Sequence, residues 1–223
     1  MGRLLTFNDV RNSESWRKQI QLSSSFAATF TDKPVKSQNL ILYRRSFDGS
    51  MKAAFRELTQ FYLDEYEVSA NEGKILYGEG ALQMFSPTKG TDHLSLHAQN
   101  AAVKLTEDIS RFSKLGGRGQ YLRLRVQGGE LTNIDSIWHH DGAATKGIRY
   151  SGALTHEVHN DDVRKIVGTD AEVIDEARIL IADHGDVWQH NAPSFFNPFT
   201  TMKHRIHRKA PIDGQPGLIL TLQ

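Results

Sequence analysis

The hydrophobic pattern of this chain changes period near residue 120, and that change limits the folds open to it. In the ranges 48–67 and 92–114, apolar residues recur at the spacing of an amphipathic α-helix. From residue 120 onward, segments such as YLRLRV (121–126) alternate apolar and charged residues, as a half-buried strand does. Strands are also predicted at 39–45, 133–141, 147–158, 174–182, 185–189, 202–208 and 217–223. Short strands in series, separated by turn residues, favour a sandwich, barrel or jelly roll.

We therefore predict an α+β fold in which N-terminal helices pack against a C-terminal β-roll. A single domain would span 1–223, with a mainly helical part at 1–118 and the β-roll at 119–223. The sequence contains no internal repeat and no low-complexity linker that would separate two domains. A chain of 223 residues is long enough to enclose a sizeable hydrophobic core.

Composition removes several classes of function. The sequence has no cysteine, which excludes disulfides, thiolate metal sites and a cysteine nucleophile. The net charge of +1 gives no general attraction for nucleic acid. No apolar run approaches the length of a membrane span, and the first residues, MGRLLTFNDV, lack the apolar core of a secretory signal. We expect a cytoplasmic protein with neither a nucleic-acid nor a membrane partner, and the oligomeric state stays open.

Histidines are concentrated in the C-terminal half, where eight of the ten follow residue 138. The most informative segment is WHHDG at 138–142, because residues two apart on a strand point to the same face. His139 and Asp141 would therefore project together, while His140 points away. An imidazole and a carboxylate, joined by a second imidazole from another strand, form the facial triad that suits non-haem Fe(II). The sequence thus predicts half of a metal site at this strand.

The second imidazole has two candidates in the segment KHRIHR at 203–208. His204 and His207 are three residues apart, so on one strand they would face opposite sides. Only one of them can join His139 and Asp141. We favour His207 and keep His204 as the alternative distal ligand.

These motifs resemble the Fe(II)- and 2-oxoglutarate-dependent oxygenase superfamily, which carries His-x-Asp on one strand and a distal His near the end. Residues 120–223 are more closely similar to an uncharacterised bacterial domain family with a WHxD…HR signature. The similarity is carried by YLRLRV, WHHD, YSGALTHEV, GDVWQHNAP and HRKAP. It implies a double-stranded β-helix core (jelly roll, cupin-like) with His139, Asp141 and His207 as the catalytic iron ligands. The first 115 residues carry no such resemblance.

The sequence departs from that superfamily in one respect. Many of its enzymes place an arginine about ten residues after the distal His, where the guanidinium holds the far carboxylate of 2-oxoglutarate. Here the range 214–218 has no basic residue. Arg149, on the next predicted strand, is our preferred replacement, although a solvent-facing strand arginine is equally common. Tyr150 and Arg208 are further candidates for binding the co-substrate, and Lys146 is an alternative.

The resemblance implies an oxidoreductase, a dioxygenase with Fe(II) and 2-oxoglutarate as cofactors that hydroxylates an unidentified small molecule or peptide. The alternative is a cupin-like metal-binding protein that is not an oxygenase and serves in sensing, storage or hydrolysis. The missing downstream arginine favours that alternative. A third hypothesis is a binding module whose histidines are only structural.

Overall fold

The computed structural model describes residues 3–5, 7–32, 38–78, 85–115, 120–130, 137–140, 144–190, 205–209 and 214–223. Its helices are α1 (Phe7–Asn12), α2 (Glu14–Gln19), α3 (Phe26–Thr31), α4 (Gly49–Glu65) and α5 (Leu96–Leu115). Its strands are β1 (Arg3–Leu5), β2 (Ile20–Leu22), β3 (Leu40–Tyr43), β4 (Gly73–Tyr77), β5 (Leu122–Gln127), β6 (Thr145–Ser151), β7 (Thr155–Val158), β8 (Val163–Val167), β9 (Asp170–Val173), β10 (Arg178–Ala182), β11 (Val187–His190), β12 (His207–Lys209) and β13 (Gly217–Leu222). None of the helices in these ranges has the length and apolar character that crossing a membrane requires.

Seven strands form a large, mostly antiparallel sheet in the order β2-β3-β11-β6-β13-β5-β4. Only the β2–β3 pair within it is parallel. A smaller sheet has the order β1-β10-β7-β12, and β8 pairs with β9 in a separate hairpin. The fold is therefore a mixed α+β structure, as predicted, built around a large antiparallel sheet.

Helices α4 and α5 cover one face of the large sheet. Their apolar stripes, which include Phe55, Leu58 and Leu105, share one buried cluster with Ile148 and Leu220 of the sheet. The carboxylate of Asp48 accepts a hydrogen bond from the backbone N–H of Met51 at 2.8 Å and so caps the first turn of α4. Both long helices were predicted from their periodicity and are confirmed.

The other face of the large sheet packs against the small sheet. A second cluster joins Leu42, Trp188 and Ile219 of the large sheet to Leu180 of the small one. Because side chains alternate along a strand, each strand of the large sheet sends one set of side chains to the helices and the other set between the sheets. Four of the predicted site residues, His139, Arg149, His207 and Arg208, line the space between the sheets.

The C-terminal strands are shared between the two sheets. In chain order, β5, β6, β11 and β13 belong to the large sheet, and β7, β10 and β12 to the small one. An eighth segment is added at His139, which pairs with His207 of β12 in the small sheet. The N-terminal part also contributes strands: β1 joins the small sheet, while β3, predicted at 39–45, and the unpredicted β2 and β4 extend the large one.

Candidate metal centre

His139 and His207 are directly paired across two antiparallel segments. Each backbone N–H donates to the carbonyl of the other residue, and both N···O distances are 2.9 Å. Directly opposed residues on antiparallel strands present their side chains on the same face. The two imidazole centroids are 4.5 Å apart, with the rings tilted by 53°. Two residues separated by 68 positions in the sequence therefore present neighbouring imidazoles to the space between the sheets.

The hydrogen bonds of His139 suit a metal ligand. Its Nδ1 lies 2.7 Å from the carbonyl oxygen of Ile137, and a carbonyl can only accept, so Nδ1 carries the proton. In the neutral ring, Nε2 then keeps its lone pair and is available for coordination. A ligating histidine commonly donates its other ring N–H in this way. The donor set therefore fits a divalent metal at this point.

Two predicted ligands, Asp141 and His204, lie outside the described residues. Within the ranges that are described, no three His, Asp or Glu side chains converge to hold a metal. The described part of the site is thus the imidazole pair. His140, predicted to point away from His139, contacts the Gly168 carbonyl through Nε2 at 3.1 Å.

The imidazole pair lines a cavity of about 140 Å³ between the sheets. The large sheet contributes Arg125, Arg149, Trp188 and Ile219, among others. The small sheet and its flanks contribute Thr155, Arg205, His207 and Arg208, with His139 beside them. The described lining contains four arginines and no acidic side chain. The cavity therefore suits anionic ligands.

One of these arginines is neutralised within the protein. Arg205 is bound by both carboxylate oxygens of Glu157, with Nε at 3.0 and 2.9 Å and Nη2 in a further contact to Oε1. Both side chains are almost completely buried. The guanidinium also stacks 4.8 Å from the Trp188 ring centroid. Because Glu157 lies opposite His207 in the pairing of β7 with β12, this ion pair supports the strand that carries the imidazole.

Arg149, the residue predicted as the co-substrate anchor, lines the cavity. Its Nη1 approaches Gly217, which is ten residues after His207 on β13. A Cβ at position 217 would lie 3.7 Å from Nη1 of Arg149 and 3.7 Å from Oε1 of Gln127. Because residue 217 on β13 is a glycine, the space at this position is open. The guanidinium of Arg149, on β6, lies next to that space.

The other predicted co-substrate residues lie elsewhere. Tyr150 faces the helices, where its hydroxyl donates to Asp108 at 2.9 Å. Burial, followed by the charge of Asp108, raises the pKa of Tyr150 well above its usual value. Lys146 also points to the helix side, with Nζ 5.0 Å from the Phe30 ring centroid. Neither residue lines the cavity, because both alternate with Arg149 along β6.

Arg208 contributes to the cavity wall, but its guanidinium carbon lies 4.4 Å from the Trp138 ring centroid. Burial lowers the pKa of this arginine from its usual value. Stacking on an indole partly replaces the solvation that the guanidinium loses.

Three residues near the imidazole pair were missed by sequence reasoning: Arg125, Trp188 and His190. The His190 ring centroid lies 6.3 Å from that of His207 and 5.9 Å from that of Trp188. All four residues of β11 are buried, so the sequence VWQH shows no alternation of apolar and polar residues that would indicate which side chains face the cavity. Arg125 belongs to the charged face of YLRLRV, a pattern typical of a solvent-facing strand.

Comparison with known proteins adds little to this geometry. No protein-family model matches the sequence, and no curated protein matches it. Among solved structures, the chain is similar to JOX2, crystallised in complex with 2OG, Fe and JA, with 10% identity and a TM-score of 0.41 over 99% of this chain and 73% of that one. It is also similar to a full-length Neurospora crassa protein, crystallised in complex with alpha-KG and 5-formyluracil, with 12% identity and a TM-score of 0.39 over 99% of this chain and 83% of that one. Likeness at such scores decides neither fold nor activity, so the function has to be inferred from the site itself.

Proposed function

We propose that this protein is an Fe(II)- and 2-oxoglutarate-dependent oxygenase that acts on a small molecule or peptide. His139, Asp141 and His207 would hold the iron, and Arg149 would bind the far carboxylate of the co-substrate. The observation that carries the proposal is the direct pairing of His139 with His207 at the wall of a cavity that Arg149 also lines.

The ligand set follows from strand geometry. Asp141 is two residues after His139, so in an extended segment its carboxylate would lie on the same face as the His139 ring. Two imidazoles and one carboxylate on a single face leave further positions of the metal open to co-substrate and oxygen. Of the two distal candidates, His207 is favoured because its ring lies beside that of His139.

We further propose that the two sheets form a double-stranded β-helix. Eight segments, counting the one at His139, are divided four and four between the two sheets, and successive segments change sheet except at β7 and β10. Eight strands in two facing sheets are what a jelly roll contains. The cavity between the sheets is the place where folds of this kind hold a ligand.

Arg149 can take over the task of the arginine that is missing from β13. The superfamily's usual anchor lies about ten residues after the distal His and presents a fork that binds a carboxylate through two hydrogen bonds. Here that place is Gly217, and Nη1 of Arg149 would be 3.7 Å from a Cβ built there. A guanidinium would thus reach the same region of the cavity from β6 instead of β13.

Iron, when bound with 2-oxoglutarate, would supply the activation of O₂, with oxidation of the co-substrate to succinate and CO₂ and insertion of one oxygen atom into a substrate C–H bond. The protein's own residues have simpler tasks. Ile137 fixes the ring of His139 through the Nδ1 hydrogen bond, and Trp188 closes part of the cavity wall. An apolar side chain at this point of the wall helps to keep water from the reacting groups.

The first test is spectroscopic. Anaerobic addition of Fe(II) and 2-oxoglutarate should produce the weak visible charge-transfer band of the chelated co-substrate. His207→Ala should abolish metal binding, whereas His204→Ala should keep it. Retention of iron by His207→Ala together with loss in His204→Ala would make His204 the distal ligand instead.

The second test moves the guanidinium from one strand to the other. Arg149→Gln should weaken 2-oxoglutarate binding by about 30-fold, the loss expected for a charge-assisted pair worth about 2 kcal/mol. Adding Gly217→Arg to Arg149→Gln should recover part of that affinity, because the new side chain starts beside the space left by the old one. Lys146→Gln is the matched control, since it removes a positive charge from the opposite face of β6 and should leave binding unchanged.

The cupin-like alternative predicts a different outcome. Tight binding of Zn(II), with no charge-transfer band on addition of iron and 2-oxoglutarate, would support this class. Arg149→Gln should then leave metal binding unchanged. The absence of an arginine at position 217 is the observation that favours this alternative.

A further inference from the structure

The cavity has more cations than the proposed cofactors require. Of its four arginines, Arg205 is bound by Glu157, and the Arg208 guanidinium lies over Trp138. Arg125 and Arg149 lie on the face of the large sheet that lines the cavity. Within the described ranges, no acidic side chain forms an ion pair with Arg125.

Charge matching assigns Arg149 to the co-substrate. Under the proposed function, the metal and Arg149 together carry three positive charges. The carboxylate of Asp141 and the two carboxylates of 2-oxoglutarate carry three negative charges. These groups cancel one another, so Arg125 and Arg208 remain as the two arginines with no acidic partner among the described lining residues. The Arg208 guanidinium is covered by the Trp138 ring, which leaves Arg125 as the more accessible of the two. An uncompensated cation at a partly enclosed site favours binding of an anion.

Arg125 is placed close to the co-substrate region but not within it. It lies on β5 opposite Ile219 of β13, and Ile219 lies opposite Arg149 of β6 in turn. The two arginines are thus separated by one strand and flank the same isoleucine. Arg125 is exposed, whereas Arg149 is only partly so. Arg125 therefore stands on the solvent side of the cavity, where an incoming molecule meets it first.

We propose that Arg125 binds an anionic group, a carboxylate or a phosphate, on the substrate. This inference rests on the proposed function, because the assignment of Arg149 to the co-substrate is what leaves Arg125 for a second ligand. An anionic substrate would be attracted to the mouth by the charge of Arg125 and oriented by its planar fork. The part of the substrate that reacts would then lie deeper, toward His139 and His207.

The test uses the full chain loaded with Mn(II), in place of Fe(II), and saturating 2-oxoglutarate. The probes are benzoate and phenylphosphonate, with benzamide as the neutral counterpart of benzoate. Paramagnetic relaxation of the probe's ring protons by bound Mn(II) reports binding inside the cavity without any turnover. Both anions should show saturable relaxation in the wild-type protein, and benzamide should not.

Arg125→Gln should weaken binding of benzoate by about fivefold, the loss expected for one charge-assisted hydrogen bond at a partly exposed site. Arg56→Gln is the matched control, because Arg56 is an exposed arginine on α4, on the helix side of the large sheet. Phenylphosphonate binding that falls much more than benzoate binding in Arg125→Gln would identify phosphate as the preferred group.

Several results would overturn the inference. Equal benzoate affinity in the wild-type protein and Arg125→Gln would do so, as would equal binding of benzamide and benzoate. Displacement of 2-oxoglutarate by benzoate, with loss of the effect in Arg149→Gln, would show that the probe occupies the co-substrate position instead. Failure of the wild-type protein to bind Mn(II) and 2-oxoglutarate at all would overturn the proposed function and this inference together.

Discussion

The buried ion pair between Glu157 and Arg205 offers the sharpest test of how the site is built. Their side chains are 2% and 4% exposed, and Nε of Arg205 lies 3.0 and 2.9 Å from the two carboxylate oxygens. Removing one partner leaves the other charge buried without compensation. Such a loss typically costs about 3–5 kcal/mol. Glu157→Leu or Arg205→Met alone should therefore lower the free energy of unfolding by that amount.

The double variant should behave differently. Glu157→Leu with Arg205→Met replaces both charges by apolar groups of similar size, a change that is often neutral or stabilising. Some cost remains, because Arg205 also stacks 4.8 Å from the Trp188 centroid, although a methionine sulfur keeps a favourable contact with an aromatic ring. We expect the double variant to lie within about 1.5 kcal/mol of the wild-type protein, which corresponds to a coupling energy of about 4.5 kcal/mol or more.

Urea unfolding monitored by tryptophan fluorescence measures all four members of this cycle. Glu172→Gln is the control, since Glu172 and Arg164 form an exposed pair at 3.6 Å and its loss should cost less than about 0.5 kcal/mol. Additive single-variant losses in the double variant would refute the reasoning, because they would mean that the two charges do not stabilise one another.

Two further predictions concern other parts of the fold. Burial raises the pKa of Asp186 to about 6, above the ordinary value of 3.8. Between these two pKa values the folded protein holds a proton on Asp186 that the unfolded chain has lost, so the contribution of Asp186 to stability falls as pH rises from about 4 to about 6. Asp186→Asn should remove this pH dependence from the free energy of unfolding, and an unchanged pH dependence would contradict the prediction. Gly147→Ala would bring a Cβ to 2.4 Å from Cζ2 of Trp188, so it should lower the free energy of unfolding in urea by about 1–3 kcal/mol and shift the tryptophan emission. Gly49→Ala is the control, because a Cβ at position 49 would have no neighbouring atom within 4 Å and should not destabilise the protein.

The long elements of the fold were predictable because their periodicity is strong. α4 and α5 each carry a continuous apolar stripe, and the alternation in β5 marks a strand with two different faces. The short strands of the N-terminal part carry no comparable signal. β2 has three residues and β4 has five, too few to show a period, and their pairing with β3 and β5 comes from tertiary contacts.

The site was predictable where local geometry decides it. The spacing of the histidines predicted that His139 and one of His204 and His207 would lie on a shared face, and His207 does lie beside His139. Arg149 was suggested only by the resemblance, as a replacement for a missing arginine, and it lines the same cavity. Tyr150 was placed among the co-substrate residues only by its position in the sequence next to Arg149. Adjacent residues on a strand face opposite sides, and the hydroxyl of Tyr150 is bound by Asp108 on the helix side.

Arg125 shows why the rest of the site could not be predicted. A strand that alternates apolar and charged residues has one face in the core, but the pattern does not tell whether the charged face meets water or a second sheet. In this protein the charged face meets the small sheet. The small sheet carries Arg205 paired with Glu157, and this ion pair adds no net charge to the space between the sheets. The positive charge of Arg125 therefore persists at the mouth of the cavity. A cation there contributes nothing to the apolar packing between the sheets, but it does attract anions from solvent, so a ligand explains its place better than folding does.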